Sequence, residues 1–228
     1  MRLTFPSCHL PSAQRGEETR RRILEAAVET FASVGYDAAH TRLLAERAGV
    51  KLPAISYYFG SKEGLFAAVI EHIAAQFERH MAPVAERVQA GLAEAAASRA
   101  ALLALLCDLL DAFAETMLSP AYPESWRLII VRAEIANLAA LEPIHNSIRR
   151  LAVEPAKALI GRLGGASEAK EISWMRAAAI LGQINIFCKP QVRHGLCWAE
   201  YTEEQSRAVR TIVREHVRAI FGAGGAAS

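Results

Sequence analysis

Three groups of residues in this 228-residue chain could do chemistry, and their types and spacing imply different chemistries. Cys188, His194 and Cys197 bring two thiols and an imidazole close together in sequence, as a metal or redox centre would. The spacing fits no usual zinc pattern, no fourth ligand is evident, and no Cys-x-x-Cys pair is present. The expectation is therefore no metal and no cofactor, with reduced thiols packed as small apolar residues. The seven histidines could serve acid–base catalysis. They pair with no recognisable nucleophile, and no Gly-x-Ser-x-Gly, His-Glu-x-x-His, P-loop or Gly-x-Gly-x-x-Gly setting occurs, which argues against an enzyme. The third group is cationic. Residues 40–62 hold Arg42, Arg47, Lys51 and Lys62 against one acid, Glu46, a local charge of +3 in a chain whose total is only +2. Arg20, Arg21 and Arg22 add a second basic cluster. A guanidinium fork suits guanine O6 and N7, whereas an ammonium point charge suits a phosphate. The plain alternative is a solvated charged face of a helical bundle.

Such groups need rigid elements to position them, and the chain reads as helix throughout. Alanine is abundant beside Leu, Glu and Arg, and alternating β-branched runs are nearly absent, so the expected fold class is all-α. No apolar run reaches the ~18 to 20 residues of a membrane span. The start to Gln14 lacks the apolar run of a signal peptide, and the four cysteines, Cys8, Cys107, Cys188 and Cys197, are too few for a disulfide scaffold. A soluble, cytoplasmic protein with no membrane partner is expected.

The first helix fits 17–34, where Ile23, Ala26, Ala27, Thr30 and Phe31 recur at helical spacing before Gly35. Shorter helices fit Thr41–Ala48, ended by Gly49, and Leu52–Phe59, with Pro53 in its first turn. Ser61 caps a fourth that carries Leu65, Phe66, Val69, Ile70, Ile73 and Phe77 to about Pro83. Longer helices follow near 84–97, 99–118 (capped by Ser98), 123–141, 142–163 and 168–188 (capped by Ser167), with a turn at Ser119-Pro120. Pro190 should end or kink the last of these. Thr202 and Gln205 form a capping-box pattern ahead of a helix at 203–221. The expected organisation is a flexible tail at 1–16, a small domain at 17–80, a larger one at 81–222 and a second tail at 223–228.

Two short helices joined by Gly49-Val50-Lys51 are the outline of a helix-turn-helix, whose second helix enters the DNA major groove. The stretch from Thr41 to Phe66 closely resembles the N-terminal domain of TetR-family transcriptional regulators, and the resemblance covers about residues 17 to 80. Its signature parts are Phe31-Ala-Ser-Val-Gly-Tyr36, the Ala48-Gly49-Val50 turn, Tyr57-Tyr58-Phe59 and Ser61-Lys62-Glu63-Gly-Leu65. Ile180 to Phe187, followed by Gly195-Leu-Cys-Trp198, resembles the CecR-type branch.

The resemblance implies an N-terminal three-helix DNA-binding domain and a larger C-terminal helical domain for ligand binding and dimerisation. It makes Thr41 a phosphate contact, Arg42 a base reader and Lys51 to Ser56 the groove face, while Tyr57, Tyr58 and Lys62 reach the backbone. Leu52 and Ala54 offer apolar contact, as to a thymine methyl. Many members have glycine where this chain has Pro53 and tyrosine where it has Ser56, so that tyrosine's phosphate contact is not carried over. Phe59 is expected to pack inside the small domain.

One such module reads few base pairs, so useful specificity requires two copies on a palindromic double-stranded operator. Ile180, Leu181, Ile184 and Phe187 on one helix, and Val209, Ile212, Val213, Val217 and Ile220 on the next, could form the homodimer interface or pack within one chain. Lining candidates for a small, largely apolar effector are Phe113, Met117, Tyr122, Trp126, Ile130, Trp174 and Gln183, with Arg132, Glu134, His145 and Asn185 as polar specifiers. A repressor released by its effector is the leading expectation. An activator, or a DNA binder without a ligand, stands beside it.

Overall fold

The computed structural model describes residues 12–94, 97–119, 122–136, 138–165, 169–196 and 202–222, and no strand occurs among them. Helix α1 (Ser12–Ala38) begins earlier than its apolar pattern and is kinked at Gly35, whose φ of 82° only glycine adopts readily. Its inner face of Ile23, Ala27, Phe31 and Ala32 packs on α2 (Thr41–Arg47) and α4 (Lys62–Ala93). Helix α3 (Pro53–Phe59) completes the N-terminal unit, contributing buried Ile55. Ser61 caps α4 as expected, its hydroxyl accepting the Gly64 N–H at 3.1 Å.

Helix α4 does not stop at Pro83, and no separate helix covers 84–97. A proline removes one backbone donor from the helical ladder. Here Met81, Val84, Ala85 and Val88 are buried on both sides of it and hold the helix against α5 (Arg99–Leu118). Tertiary burial of one continuous face therefore outweighs the lost bond. Helix α4 also carries the chain without a break from the small N-terminal unit into the larger bundle.

In the bundle, α5 has the expected bounds, with Ser98 accepting the Ala101 N–H at 3.2 Å. The Arg99 guanidinium, in the first turn of α5, caps carbonyls at the far ends of two other helices, Leu163 and Phe221. Helix α6 (Glu124–Ile135) is shorter than the expected 123–141, and a 3-10 turn, Ala139–Leu141, leads into α7 (Glu142–Ile148). The single helix expected at 142–163 is interrupted by a π turn at Arg149–Val153 before α8 (Glu154–Gly164). Pro155 follows that turn and cannot donate to the ladder, which favours a widened turn there.

Helix α9 (Lys170–Asn185) passes through a 3-10 turn, Ile186–Cys188, into the short α10 (Pro190–Gly195). The break at Pro190 is as expected. Helix α11 (Glu203–Gly222) opens with the anticipated capping box: the Thr202 N–H donates to Gln205 Oε1 at 2.9 Å, and the Gln205 N–H to Thr202 Oγ1 at 3.2 Å. Residues 12–16 of the expected first tail belong to α1, whereas its first eleven residues, the expected tail at 223–228, Pro120, the Ser167 cap, Cys8, Cys197 and Trp198 lie outside the described residues. No described helix is long and apolar enough to cross a membrane.

Candidate nucleic-acid interface and interior cavities

The turn between α2 and α3 is fixed by backbone bonds. The Gly49 N–H donates to Glu46 O and the Val50 N–H to Ala45 O, each at 3.0 Å, with Gly49 at φ 62°. Leu44, Ala45, Ala48 and Ile55 are buried beneath it. Burying Ile55 turns the opposite face of α3 outward, so that Leu52, Pro53, Ser56 and Tyr57 are exposed together at i, i+4 spacing. Tyr57 is 82% exposed and Leu52 49%, large apolar surfaces for a helix this short. Arg42 and Lys51 are exposed beside them, and among the described residues neither has an ion pair. Thr41 and Ala54 are half-buried at the edge of this face.

Other expected contacts are already engaged within the protein. Lys62 donates to the Tyr36 carbonyl at 3.1 Å, and its ammonium lies 4.2 Å from the centre of the Tyr36 ring. The Tyr36 hydroxyl in turn donates to Glu63 at 3.0 Å, clasping the end of α1 to the start of α4. The Ser61 side chain, the Glu63 backbone N–H and Tyr36 together hold the Glu63 carboxyl below the usual range. Tyr58 is half-buried beneath Tyr57, with ring centroids 4.9 Å apart, and its hydroxyl lies near Gly16 of α1. Phe59 packs on the core, as expected, under the Arg20 guanidinium.

The Arg20–Arg22 cluster is likewise engaged within the protein, although Arg21 and Arg22 remain exposed. Arg21 pairs with Glu18 and Glu25 at 2.7 and 2.6 Å, and Arg22 donates to Gly49 O at 3.3 Å. Arg47 donates to Ser33 at 2.9 Å. Among the described residues of the α2–turn–α3 surface, Arg42 and Lys51 are therefore the exposed cations without an ion pair or hydrogen bond to the protein, fewer than the sequence count suggests.

Two hollows share one wall in the larger bundle. An apolar cavity of about 220 Å³ is lined by Phe113, Met117, Tyr122 and Ile130 from the expected set, joined by Ile144 and Ile148. Glu134 and Asn185 stand at its polar edge. A larger, more polar hollow of about 430 Å³ has Tyr122 and Trp126 on one side and Gln76 and His80 of α4 on the other. Burial holds the Tyr122 hydroxyl well above the usual phenol range. Arg127, buried beside the cavity, donates to Glu124 at 2.9 Å and to the Met117 carbonyl at 3.2 Å, and Arg193 of α10 meets the same Glu124.

Two expected lining residues lie elsewhere. Trp174 is 52% exposed, one helical turn before Ala178 at the mouth of the apolar cavity. Gln183 faces α11, its Oε1 2.8 Å from His216 Nδ1. Of the polar specifiers, Arg132 instead lines a groove between α6 and the kinked end of α1, and His145 lines neither hollow.

Residues 23–69, which span this exposed helix pair, match the family described as "Bacterial regulatory proteins, tetR family". Residues 103–224, more than half of the chain, match the family described as "HTH-type transcriptional dual regulator CecR, C-terminal domain". The chain is a TetR-family transcription regulator with a CecR-type C-terminal domain. As such it is a DNA-binding protein and not an enzyme. The regulator is 26% identical over 209 residues to the HTH-type transcriptional dual regulator CecR of Shigella flexneri, covering 91% of this chain and 93% of that one. It is 42% identical over 67 residues to the HTH-type transcriptional repressor NicS of Pseudomonas putida, covering 29% of this chain and 32% of NicS. Its fold is similar to that of a TetR-like regulator from Rhodococcus sp. RHA1, with a TM-score of 0.63 at 21% identity, covering 94% of this chain and all of that one.

Most of the regulator's expected dimer residues are in its own core. Ile180, Leu181, Ile184, Val209, Val213 and Val217 are buried within the protomer, and Phe187 is half-buried. Ile212 and Ile220 point outward, 46% and 51% exposed. Helix α9 adds exposed Ile172, Met175, Ala179 and Gly182, and the 3-10 turn after it Ile186, spaced alternately by three and four residues. That spacing is legible in the sequence, but the more strongly apolar stripe beside it is the one that fills the protomer's core.

Proposed function

We propose that the regulator is a homodimeric repressor that holds a palindromic operator and releases it when a small, largely apolar effector enters the C-terminal domain. The observation that carries this reading is the exposed α2–turn–α3 surface. Arg42 and Lys51 stand open there beside Leu52, Pro53, Ser56 and Tyr57, while the opposite faces of both helices are buried. Arg42 reads a base, Lys51 and Thr41 hold phosphates, and Leu52 and Ala54 make apolar groove contacts. Tyr57 reaches the backbone more freely than the half-buried Tyr58. Lys62 reaches a phosphate only by giving up part of its hold on Tyr36.

The second copy sits on the outward stripe of α9 together with Ile212 and Ile220 of α11, forming an isologous four-helix interface. The name of NicS as a repressor supports the repressor reading. The printed name of CecR, a dual regulator, supports a second reading in which some promoters are activated. Effector binding acts through α6. One face of this helix, at Ile130 and Glu134, lines the apolar cavity, and the other, at Ile129 and Ala133, packs on α1. An effector that prefers the spread dimer weakens operator binding by the same coupling factor.

Reporter expression in a strain lacking the regulator tests the mode. A rise in expression on deletion, reversed by the intact gene, is the expected result. Loss of expression at every bound promoter would replace repression by activation.

A further inference from the structure

Helix α3 is the element of the exposed pair that enters the major groove, and its composition restricts what it can read there. Residues 52–59 contain no arginine, lysine, asparagine, glutamine, aspartate, glutamate or histidine. Hydrogen-bonded reading of a base edge rests chiefly on such side chains, whose donors and acceptors match the pattern of one base. With Ile55 buried and Tyr58 and Phe59 half-buried, the outward face consists of Leu52, Pro53, Ser56 and Tyr57, with half-buried Ala54 at its edge. Leu52 and Pro53 present carbon alone to the groove. The hydroxyls of Ser56 and Tyr57 donate and accept alike, so they separate the four base pairs poorly.

What such a face distinguishes in the major groove is the C5-methyl group of thymine. Charge points to the same occupant. Arg42 on α2 and Lys51 in the turn flank the face, and among the described residues neither is neutralised by an ion pair. Uncompensated cations beside an apolar face suit a groove floor lined by two phosphate strands, and they oppose burial against an apolar protein surface. The two kinds of base contact thus fall to different helices, hydrogen bonding to α2 and apolar contact to α3.

We propose that the regulator reads its half-site through C5-methyl groups: Leu52, with Pro53 beside it, selects thymine by its methyl, and Arg42 supplies the hydrogen-bonded base contact. This rests on the reading of the α2–turn–α3 surface as the DNA interface and specifies which bases that surface accepts. Selection is by the methyl and not by the O4 acceptor next to it. The base 5-methylcytosine carries the same methyl on the same carbon, so it takes the place of thymine.

Selection of duplexes from a random pool by the purified full-length regulator supplies the operator. Each thymine is then replaced, in both half-sites together, by deoxyuridine, cytosine or 5-methylcytosine, with the complementary base adjusted. At one or two positions deoxyuridine, which removes only the methyl, should lower affinity about tenfold, the product of about three- to fourfold in each half-site. There 5-methylcytosine should bind within about threefold of thymine, and cytosine about as weakly as deoxyuridine. Leu52→Ala, truncated at an exposed side chain, should keep the wild-type melting temperature and bind the thymine and deoxyuridine operators within about twofold of each other. A tenfold preference that survives Leu52→Ala overturns the role of Leu52. Less than a twofold effect of deoxyuridine at every thymine, or 5-methylcytosine bound no better than cytosine, overturns methyl reading. Enrichment of no sequence at all would undermine specific DNA binding itself, whereas an enriched site indifferent to the methyls confines the failure to this proposal.

Discussion

Trp126 of α6 meets His72 of α4 edge to face, with ring centroids 5.6 Å apart. The same indole stands edge to face on Tyr122 at 5.0 Å, so three rings connect the wall of the cavities to the helix that begins in the N-terminal unit. Such pairs contribute about 0.5 to 1.5 kcal/mol beyond the area they bury. That is a usable fraction of the roughly 1 to 3 kcal/mol typical of coupling between sites. Replacing Trp126 by leucine removes both ring contacts and should lower stability by about 1 to 3 kcal/mol while leaving operator affinity within about twofold of wild type. Thermal unfolding and mobility-shift titrations measure the two. An unchanged melting temperature in Trp126→Leu would show that the three rings do not hold α6 to α4.

His72 gives the regulator a pH signature. Burial, and secondarily Arg79, hold its imidazole below the ordinary value, with Glu25 opposing. The unfolded chain therefore binds more protons than the folded one as pH falls through about 6.5 and below, so this group's contribution is complete above that value and is lost toward acid. Between about pH 7.5 and 5.5 the wild-type melting temperature should fall further than that of His72→Gln. Parallel falls in the two proteins would show that another group sets the acid response.

Arg42 and Lys51 should fail differently. Arg42→Ala should weaken specific operator binding by about 1 to 3 kcal/mol and relax preference at one position in each half-site. Lys51→Ala should weaken binding to all sequences alike and lower the salt slope by about 1 per subunit. Because Arg20, Arg21, Arg22 and Arg47 are engaged within the protein, the wild-type slope should itself be modest. Affinities of the two variants for operator and scrambled DNA, across a salt series, separate the roles. A sequence-independent defect in Arg42→Ala would exclude it as a base reader.

Ile212→Glu tests the outward face of α11. A charge at a residue 46% exposed in the protomer leaves the monomer fold intact but places two like charges across a two-fold interface. Sedimentation should show a monomer with unchanged helix content, and operator affinity should drop by about a hundredfold or more as paired half-site binding is lost. A variant that remains dimeric would move the interface elsewhere.

Cys188 should be inert. Burial pushes its thiol up to about 12, so the reactive thiolate is scarce at neutral pH. In a chain carrying Cys8→Ser and Cys197→Ser, iodoacetamide should label Cys188 and the buried Cys107 only after unfolding. Rapid native labelling of Cys188 would revive a redox role.

Local signals settled much of this protein in advance. The Ser98 cap and the Thr202–Gln205 box act within a single turn, so residue order alone fixes them. The α2–turn–α3 pair was equally legible, because Gly49 and the apolar spacing around Ile55 specify both the turn and the buried side. Packing decided the rest. Pro83 lies inside a helix because residues on either side of it are held by α5, a contact between segments distant in sequence. Ile180, Ile184, Val213 and Val217 looked as suited to a partner chain as to their own, and only the arrangement of α5, α9 and α11 turned them inward. The cationic count of the DNA-facing unit was visible in the sequence, but which cations remain open was not. Arg21 pairs with Glu18 and Glu25 along its own helix, but Arg22, Arg47 and Lys62 find partners only once α1, α2 and α4 are assembled. Periodicity records which residues share a face of one helix, and the competition among helices for those faces determines what each face meets.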